Sequence, residues 1–129
     1  MKAITPRTIR APFARYSHAI EVPPGHRLLA VSGQLGVGYD DSVPDTATAQ
    51  ADQCFANIDA ILRDAGMARA HILRVSAFVS ARAHMAGYME ARDRYLDGVD
   101  PPPASTLMIV TGFTRPEFLV EVEVLAAAP

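Results

Sequence analysis

Few side chains in this sequence stand in arrangements that do chemistry, and two carboxylates come first. Glu121 and Glu123 lie two residues apart in Leu119-Val120-Glu121-Val122-Glu123-Val124-Leu125, whose clean alternation is that of a strand, so both project from one face. Such a pair is either a solvated face or interface ion pair, or a general acid or base whose carboxyl is raised by enclosure. Ser32-Gly33 ends an apolar run. The glycine there either just closes a strand or lets a ligand approach the backbone beside a hydroxyl donor. No histidine and acid sit at triad spacing around Ser32. Tyr16 reads as a core aromatic with its hydroxyl at the surface or as a hydroxyl in a cleft. His18 stands two residues away, on the same expected face. His18, His26, His71 and His84 show no HxH, HxxxH or HxxE pattern, so neither a metal nor a cofactor is expected. Gln50 and Asn57, seven residues apart, share a helix face and suit buried amides that bond backbone. Cys54 between them suits a small buried hydrophobe.

The elements that must position these residues follow from pattern. A short strand is expected over residues 16–22, closed by Pro23-Pro24-Gly25, and a second over 27–31; together they read as a hairpin. Gly33, Gly36 and Gly38 make a loop. From 46 to 65, Ala49, Phe55, Ile58, Ile61 and Leu62 recur at three- and four-residue intervals, which predicts a helix started by Thr46 or Thr48 and stopped by Gly66. A strand over 72–79, a helix over 85–96, and strands over 107–110 and 118–125 complete the order β-β-α-β-α-β-β. Two helices then cover one face of a mixed or mostly antiparallel sheet, and the uncovered face predicts self-association with clefts between copies.

A chain of 129 residues, half of them apolar and a fifth charged, is one α+β domain spanning 1–129. A formal charge of −2, with twelve scattered Lys and Arg, gives no basic track for nucleic acid. A single cysteine excludes an internal disulfide, and no stretch has the apolar length of a membrane span or secretory leader, so a soluble cytoplasmic protein is expected.

Seven local marks now fall in order on these elements: Tyr16 opening the first strand; Ser32-Gly33-Gln34; Gln50-Ala51-Asp52-Gln53 with Asn57; Ala65-Gly66; Phe78-Val79; Pro103-Ala104; and Val120-Glu121-Val122-Glu123. With them the chain resembles the Rid (YjgF-like) family over nearly its whole length, from about Arg10 to Ala127. The resemblance implies a chorismate-mutase-like fold and a homotrimer with a central barrel and small-molecule clefts between subunits. It implies hydrolysis of reactive enamines and imines to ketoacids and ammonia, and, in some relatives, a ribonuclease activity that the acidic balance here argues against. A non-catalytic trimer that binds a metabolite or a partner protein is the alternative. By the same resemblance Glu121 orients water, Tyr16 and Ser32 contact substrate beside Gly33, and an arginine after the Pro-Ala turn grips the substrate carboxylate. This sequence has Ser105 at that place, followed by Thr106. A hydroxyl in place of a charge-assisted fork weakens anion binding by roughly 1.5–3 kcal/mol. Arg15, beside Tyr16, is a candidate displaced cation. An asparagine expected on the second helix is missing from Tyr88-Met89-Glu90, leaving Met89 toward the site. A less charged, more apolar pocket for larger and less acidic ligands is the resulting expectation.

Overall fold

The structure is a computed structural model that describes residues 1–129. In chain order it forms β1 (Lys2–Ile4), β2 (Ala19–Glu21), β3 (Arg27–Leu35), α1 (Ala47–Asp64), β4 (Ile72–Val79), α2 (Met85–Tyr95), β5 (Ala104–Ile109) and β6 (Val120–Ala128).

Local chemistry sets the bounds of α1. The Thr46 hydroxyl accepts the Ala49 N–H at 3.1 Å, capping the first turn. At the other end Gly66 takes φ +68°. Its N–H bonds the Arg63 carbonyl at 3.0 Å, and the Met67 N–H bonds the Leu62 carbonyl at 2.7 Å. This is a Schellman end, with Met67 and Leu62 both buried. The stripe Ala47, Ala51, Cys54, Phe55, Ile58 and Leu62 is buried on one side of the helix.

The main sheet has the order β3-β6-β4-β5, with β4 and β5 parallel and the other pairs antiparallel. Since β3 and β4 both oppose β6, they run parallel to each other. Thus α1 and α2 are the crossovers of two successive strand–helix–strand units, and the common hand of such units puts both helices on one face. Val75, Ala77 and Val79 of β4 and Val120, Val122 and Val124 of β6 are buried beneath them. Phe55 of α1 stacks on Tyr95 of α2 with ring centroids 4.4 Å apart. The helices nearly touch at Gly87, where a Cβ would fall 2.4 Å from Thr48 Oγ1. On the other face Leu28, Met108 and Leu125 are exposed, with Arg74, Glu121 and Glu123 among them.

The hairpin expected from residues 16–22 and 27–31 does not form. β2 is only three residues long and pairs with β1, Lys2 opposite Glu21, in a separate two-stranded sheet. β3 pairs instead with β6, whose nine residues give it a partner of its own length. No helix is long and apolar enough to cross a membrane.

Candidate functional site

β5 is an edge strand, and its register decides which of its hydroxyls meets what. Ser105 lies opposite Val75, which is buried beneath the helices, whereas Thr106 lies opposite Ser76. Alternation therefore turns Ser105 and Leu107 toward α2 and Thr106 toward the uncovered face. Just before β5, the Pro103 carbonyl accepts the Ser17 N–H at 3.1 Å. The Ser17 hydroxyl donates to the Pro102 carbonyl at 2.6 Å. This clip lays the segment around Tyr16 along the start of β5. Between them opens a cavity of about 300 Å³ lined by Phe13, Tyr16, Met85, Met89, Arg92, Ser105 and Leu107 among others.

Tyr16, Ser105 and Met89, three of the residues singled out in the sequence, thus come together in one cleft. The Tyr16 hydroxyl accepts the Phe13 N–H at 3.3 Å. Its ring meets His18 edge-on, centroids 6.1 Å apart. His18 Nε2 lies 2.8 Å from the Arg10 carbonyl oxygen, which can only accept, so Nε2 carries the proton.

The cleft also holds a charge that was not expected. Arg92, only 3% exposed, reaches in from the last turn of α2. Its Nε and Nη2 donate to Asp93 Oδ1 at 3.1 and 2.8 Å, and its Nη1 stands 3.5 Å from Ser105 Oγ. The less charged pocket inferred from Ser105 and Met89 is therefore corrected: a guanidinium lines it, brought by the helix and not by the strand. Arg92 was within reach of sequence reasoning, because it follows Met89 by three residues and so shares its helix face. Arg15 directs its guanidinium elsewhere, to the carbonyls of Leu96 at 2.9 Å and Val99 at 2.5 Å, where it ties down the chain leaving α2.

The remaining residues of the expected site lie on the opposite face of the sheet. Glu121 pairs with Phe78 and Leu35 on the uncovered side. Its carboxylate rests over Gly33, where a Cβ would fall 2.2 Å from Glu121 Oε1. The register of β3 shifts between Val31 and Gln34, so Ser32 and Gly33 form the irregularity that lets this side chain lie flat. Ser32 is exposed, and its carbonyl accepts Gln34 Nε2 at 3.0 Å. Thr106 Oγ1 accepts from Arg74 Nη2 at 3.4 Å on the same side.

Gln50 and Asn57 hold the scaffold. Gln50 Nε2 donates to the carbonyls of Pro44 at 2.9 Å and Glu117 at 2.8 Å, and its Oε1 accepts the Leu119 N–H at 2.8 Å. This ties the loop before α1 to the segment leading into β6. Asn57 Nδ2 reaches the Leu35 and Val37 carbonyls at 3.5 and 3.4 Å. Cys54 is fully buried, and burial, aided by the charge of Glu121, pushes its thiol up to about 12. A second cavity of about 350 Å³ lies beside Asp59 and Arg69, but there the two charges already bond each other. No three His, Cys, Asp or Glu side chains converge as metal ligands would.

Against this geometry, the family model described as Endoribonuclease L-PSP matches residues 8–128. The RutC family protein of Aquifex aeolicus is 30% identical over 105 residues, covering 81% of this chain and 82% of that protein. The crystal structure of the Rid family protein YyfB from Yersinia pestis aligns with a TM-score of 0.85 at 27% identity, covering 98% of each chain. RidA from an Antarctic Psychrobacter aligns at 0.72 and 25% identity over 99% of this chain and 100% of that one. The α+β fold expected from the sequence, two helices on one mixed sheet, is the fold these proteins share.

Proposed function

The chain belongs to the Rid (YjgF-like) family, whose model bears the description Endoribonuclease L-PSP, and from that premise we propose that it acts as a Rid-type enzyme on enamines, imines or related reactive carbonyl compounds. One observation carries the reading: on the family's scaffold, a cleft of metabolite size gathers two hydroxyls, of Tyr16 and Ser105, around a buried cation. Neutral donors of this kind orient a C=N bond, and enclosure keeps the reactive compound in place.

Glu121 faces the other side of the same sheet, two strands away from β5. One small substrate does not touch both Ser105 and Glu121 of a single chain. The reading therefore includes assembly: a second copy, in a homotrimer, brings its Glu121 to the Ser105 cleft. The exposed Leu28, Met108 and Leu125 beside Glu121 supply the apolar surface for that contact.

The chemistry then runs in two steps. Glu121 takes a proton from water as the water oxygen bonds to the imine carbon and delivers that proton to the nitrogen, giving a neutral carbinolamine with Glu121 again ionised. Glu121 then takes the carbinolamine hydroxyl proton and passes it to the nitrogen as the carbon–nitrogen bond breaks, releasing ammonia and leaving the carbonyl product. RNA cleavage, which the family description names, gains little from a chain of formal net charge −2 whose Lys and Arg are scattered.

The test is ammonia release from imines generated in situ, 2-iminopropionate among them, above their spontaneous hydrolysis. A Glu121→Gln variant should lose that excess rate, and the solution mass should be three times 13.9 kDa. No ammonia release above the spontaneous rate, with ligand still bound, would favour a trimer that only binds its ligand. A stable monomer would refute the composite site.

A further inference from the structure

Phe13 is 81% exposed, yet it stands at the cleft and not on open surface. A large apolar side chain left exposed beside a cavity marks a binding surface. Two contacts hold it in place. The Arg10 guanidinium lies over the ring, 3.9 Å from its centroid. The Phe13 N–H donates to the Tyr16 hydroxyl at 3.3 Å. Phe13 lines the cavity, whereas Arg10 does not. The guanidinium therefore takes the outer face of the ring, and the other face is left toward the cleft. The aromatic pairs of the chain, Tyr16 with His18 and Phe55 with Tyr88 and Tyr95, do not include it.

The rest of the lining narrows the ligand. Met85 and Met89 of α2 and Leu107 of β5 add apolar surface to the cavity. A thioether gains from contact with an aromatic ring, and a phenyl face gains from a second ring, offset or edge-on. Three lining side chains thus favour an aromatic substituent over a saturated one of the same size. The polar end of the ligand is set as well. Because the Tyr16 hydroxyl accepts from Phe13, its own proton remains to donate, and Ser105 supplies a second hydroxyl. A cavity of about 300 Å³ lies at the lower end of the range for small-molecule sites, which suits one ring with one polar group.

We infer that Phe13 is a specificity-determining residue of this cleft, a stacking platform that selects compounds whose carbonyl or carbon–nitrogen group carries a planar aromatic substituent, with the polar group bonded by the Tyr16 hydroxyl. The inference rests on the cleft being the substrate site of the proposed enzyme, and it gives that enzyme a substrate class. Phe13 touches the substituent and not the reacting atoms. It therefore governs affinity and leaves the chemical step to other groups.

The experiment is calorimetric binding of benzamide and of cyclohexanecarboxamide to the intact, assembled protein. The two share the carboxamide and a six-carbon ring, and the saturated one is the more hydrophobic, so burial alone would favour it. Benzamide should instead bind about three- to tenfold more tightly. Phe13→Leu should remove that preference and leave the affinity for the saturated amide unchanged, while Phe13→Trp should keep the preference. Since the side chain is exposed, both variants should melt with the parent. Equal binding of the two amides, no binding of benzamide at millimolar concentration, or a preference that survives in Phe13→Leu each overturns the assignment. A Phe13→Leu protein of lower solution mass than the parent would also overturn it, by making the ring a contact between copies. Binding is read without turnover, so the two readings fail separately. A Phe13-dependent preference with no ammonia release from any imine would remove the reaction and keep the platform; ammonia release with no preference for the aromatic amide would do the reverse.

Discussion

Replacing Gly33 with alanine separates the position of the Glu121 carboxylate from its presence. The new Cβ would fall 2.2 Å from Oε1 and 2.8 Å from Cδ, and ordinary contact begins at 3.4 Å, so the carboxylate must withdraw by about 1.2 Å. Gly33 is not among the glycines with positive φ, so its backbone accepts alanine. The obstructing group is the free end of a flexible side chain, and moving it off its preferred rotamer costs about 0.5–1.5 kcal/mol. Restricting the unfolded chain returns about 0.4–1 kcal/mol. Stability should therefore hold nearly level, with 1 kcal/mol worth roughly 3–6 °C for a domain of this size. Activity should not hold, because a displacement of about 1 Å at a reacting group costs on the order of 10²-fold. The assay is kcat/KM for ammonia release, with thermal melts, for the unaltered protein, Gly33→Ala and Glu121→Gln. Both variants should lose about 10²-fold or more while melting within a few degrees of the parent. Gly36→Ala is the contrast: there a Cβ meets the Gln50 Cβ at 2.5 Å and its Cα at 2.8 Å, nothing flexible gives way, and overpacking should cost about 1–3 kcal/mol. Undiminished kcat/KM in Gly33→Ala would refute the role of the carboxylate's position, and a melt lowered as far as that of Gly36→Ala would refute the steric argument.

Three further outcomes follow from groups away from the cleft. Gln50→Ala leaves the Leu119 N–H and the Pro44 and Glu117 carbonyls without the amide that satisfies them; it should cost about 2–5 kcal/mol by denaturant titration. Burial raises the Asp59 carboxyl, but hydrogen bonds from Arg69 and Tyr95 and the charges of Arg69 and Arg63 outweigh it and hold the group below its usual range. Its contribution is therefore complete above about pH 4 and is lost as pH falls through the lower folded value, so Asp59→Asn should flatten the acid limb of a stability–pH curve. Cys54 behaves in the opposite sense. With its thiol raised to about 12 by burial first and Glu121 second, it stabilises fully below the unfolded value of about 8.5, and that contribution falls away as pH rises toward the folded value. Cys54→Ala should reduce the alkaline slope, and an aromatic disulfide reagent at pH 8 should label Cys54 only after denaturation.

The parts of the fold legible in the sequence are those whose signal is local. The α1 stripe, the Thr46 cap and the Gly66 stop lie within one segment, and the helix ends within a residue of the expected bounds. The strand over 72–79 has the bounds of β4. Strand partners carry no such signal. Pro23-Pro24-Gly25 invites a hairpin, yet the choice between β2 and β6 as neighbour of β3 is made by packing against a segment nearly a hundred residues away. β1 has only three residues, too few for a period to show. β5 begins at Ala104 rather than 107 because its polar first half is held by parallel pairing with β4, which residue type alone does not reveal.

The candidate site divides along the same line. Tyr16, Ser105 and Met89 were marked by their place in a family pattern, and they meet in the cleft because the Ser17 clip and the β4–α2–β5 crossover bring three distant segments to one edge. An arginine in the last turn of a helix, next to Asp93 and near Arg94, has the local look of a solvated charge that favours the helix dipole, so Arg92 gives little local sign of the cleft. Only the packing of α2 on β5 turns it inward. A substitution on a strand thus gives incomplete information about the charge of a pocket, because an edge strand shares its side chains' space with the helix above it. A guanidinium carried on that helix, on a long stem, reaches the same volume from a different direction. Ser105 has a small side chain, and Arg92 Nη1 stands 3.5 Å from its Oγ, so the hydroxyl and the guanidinium share the space beside β5.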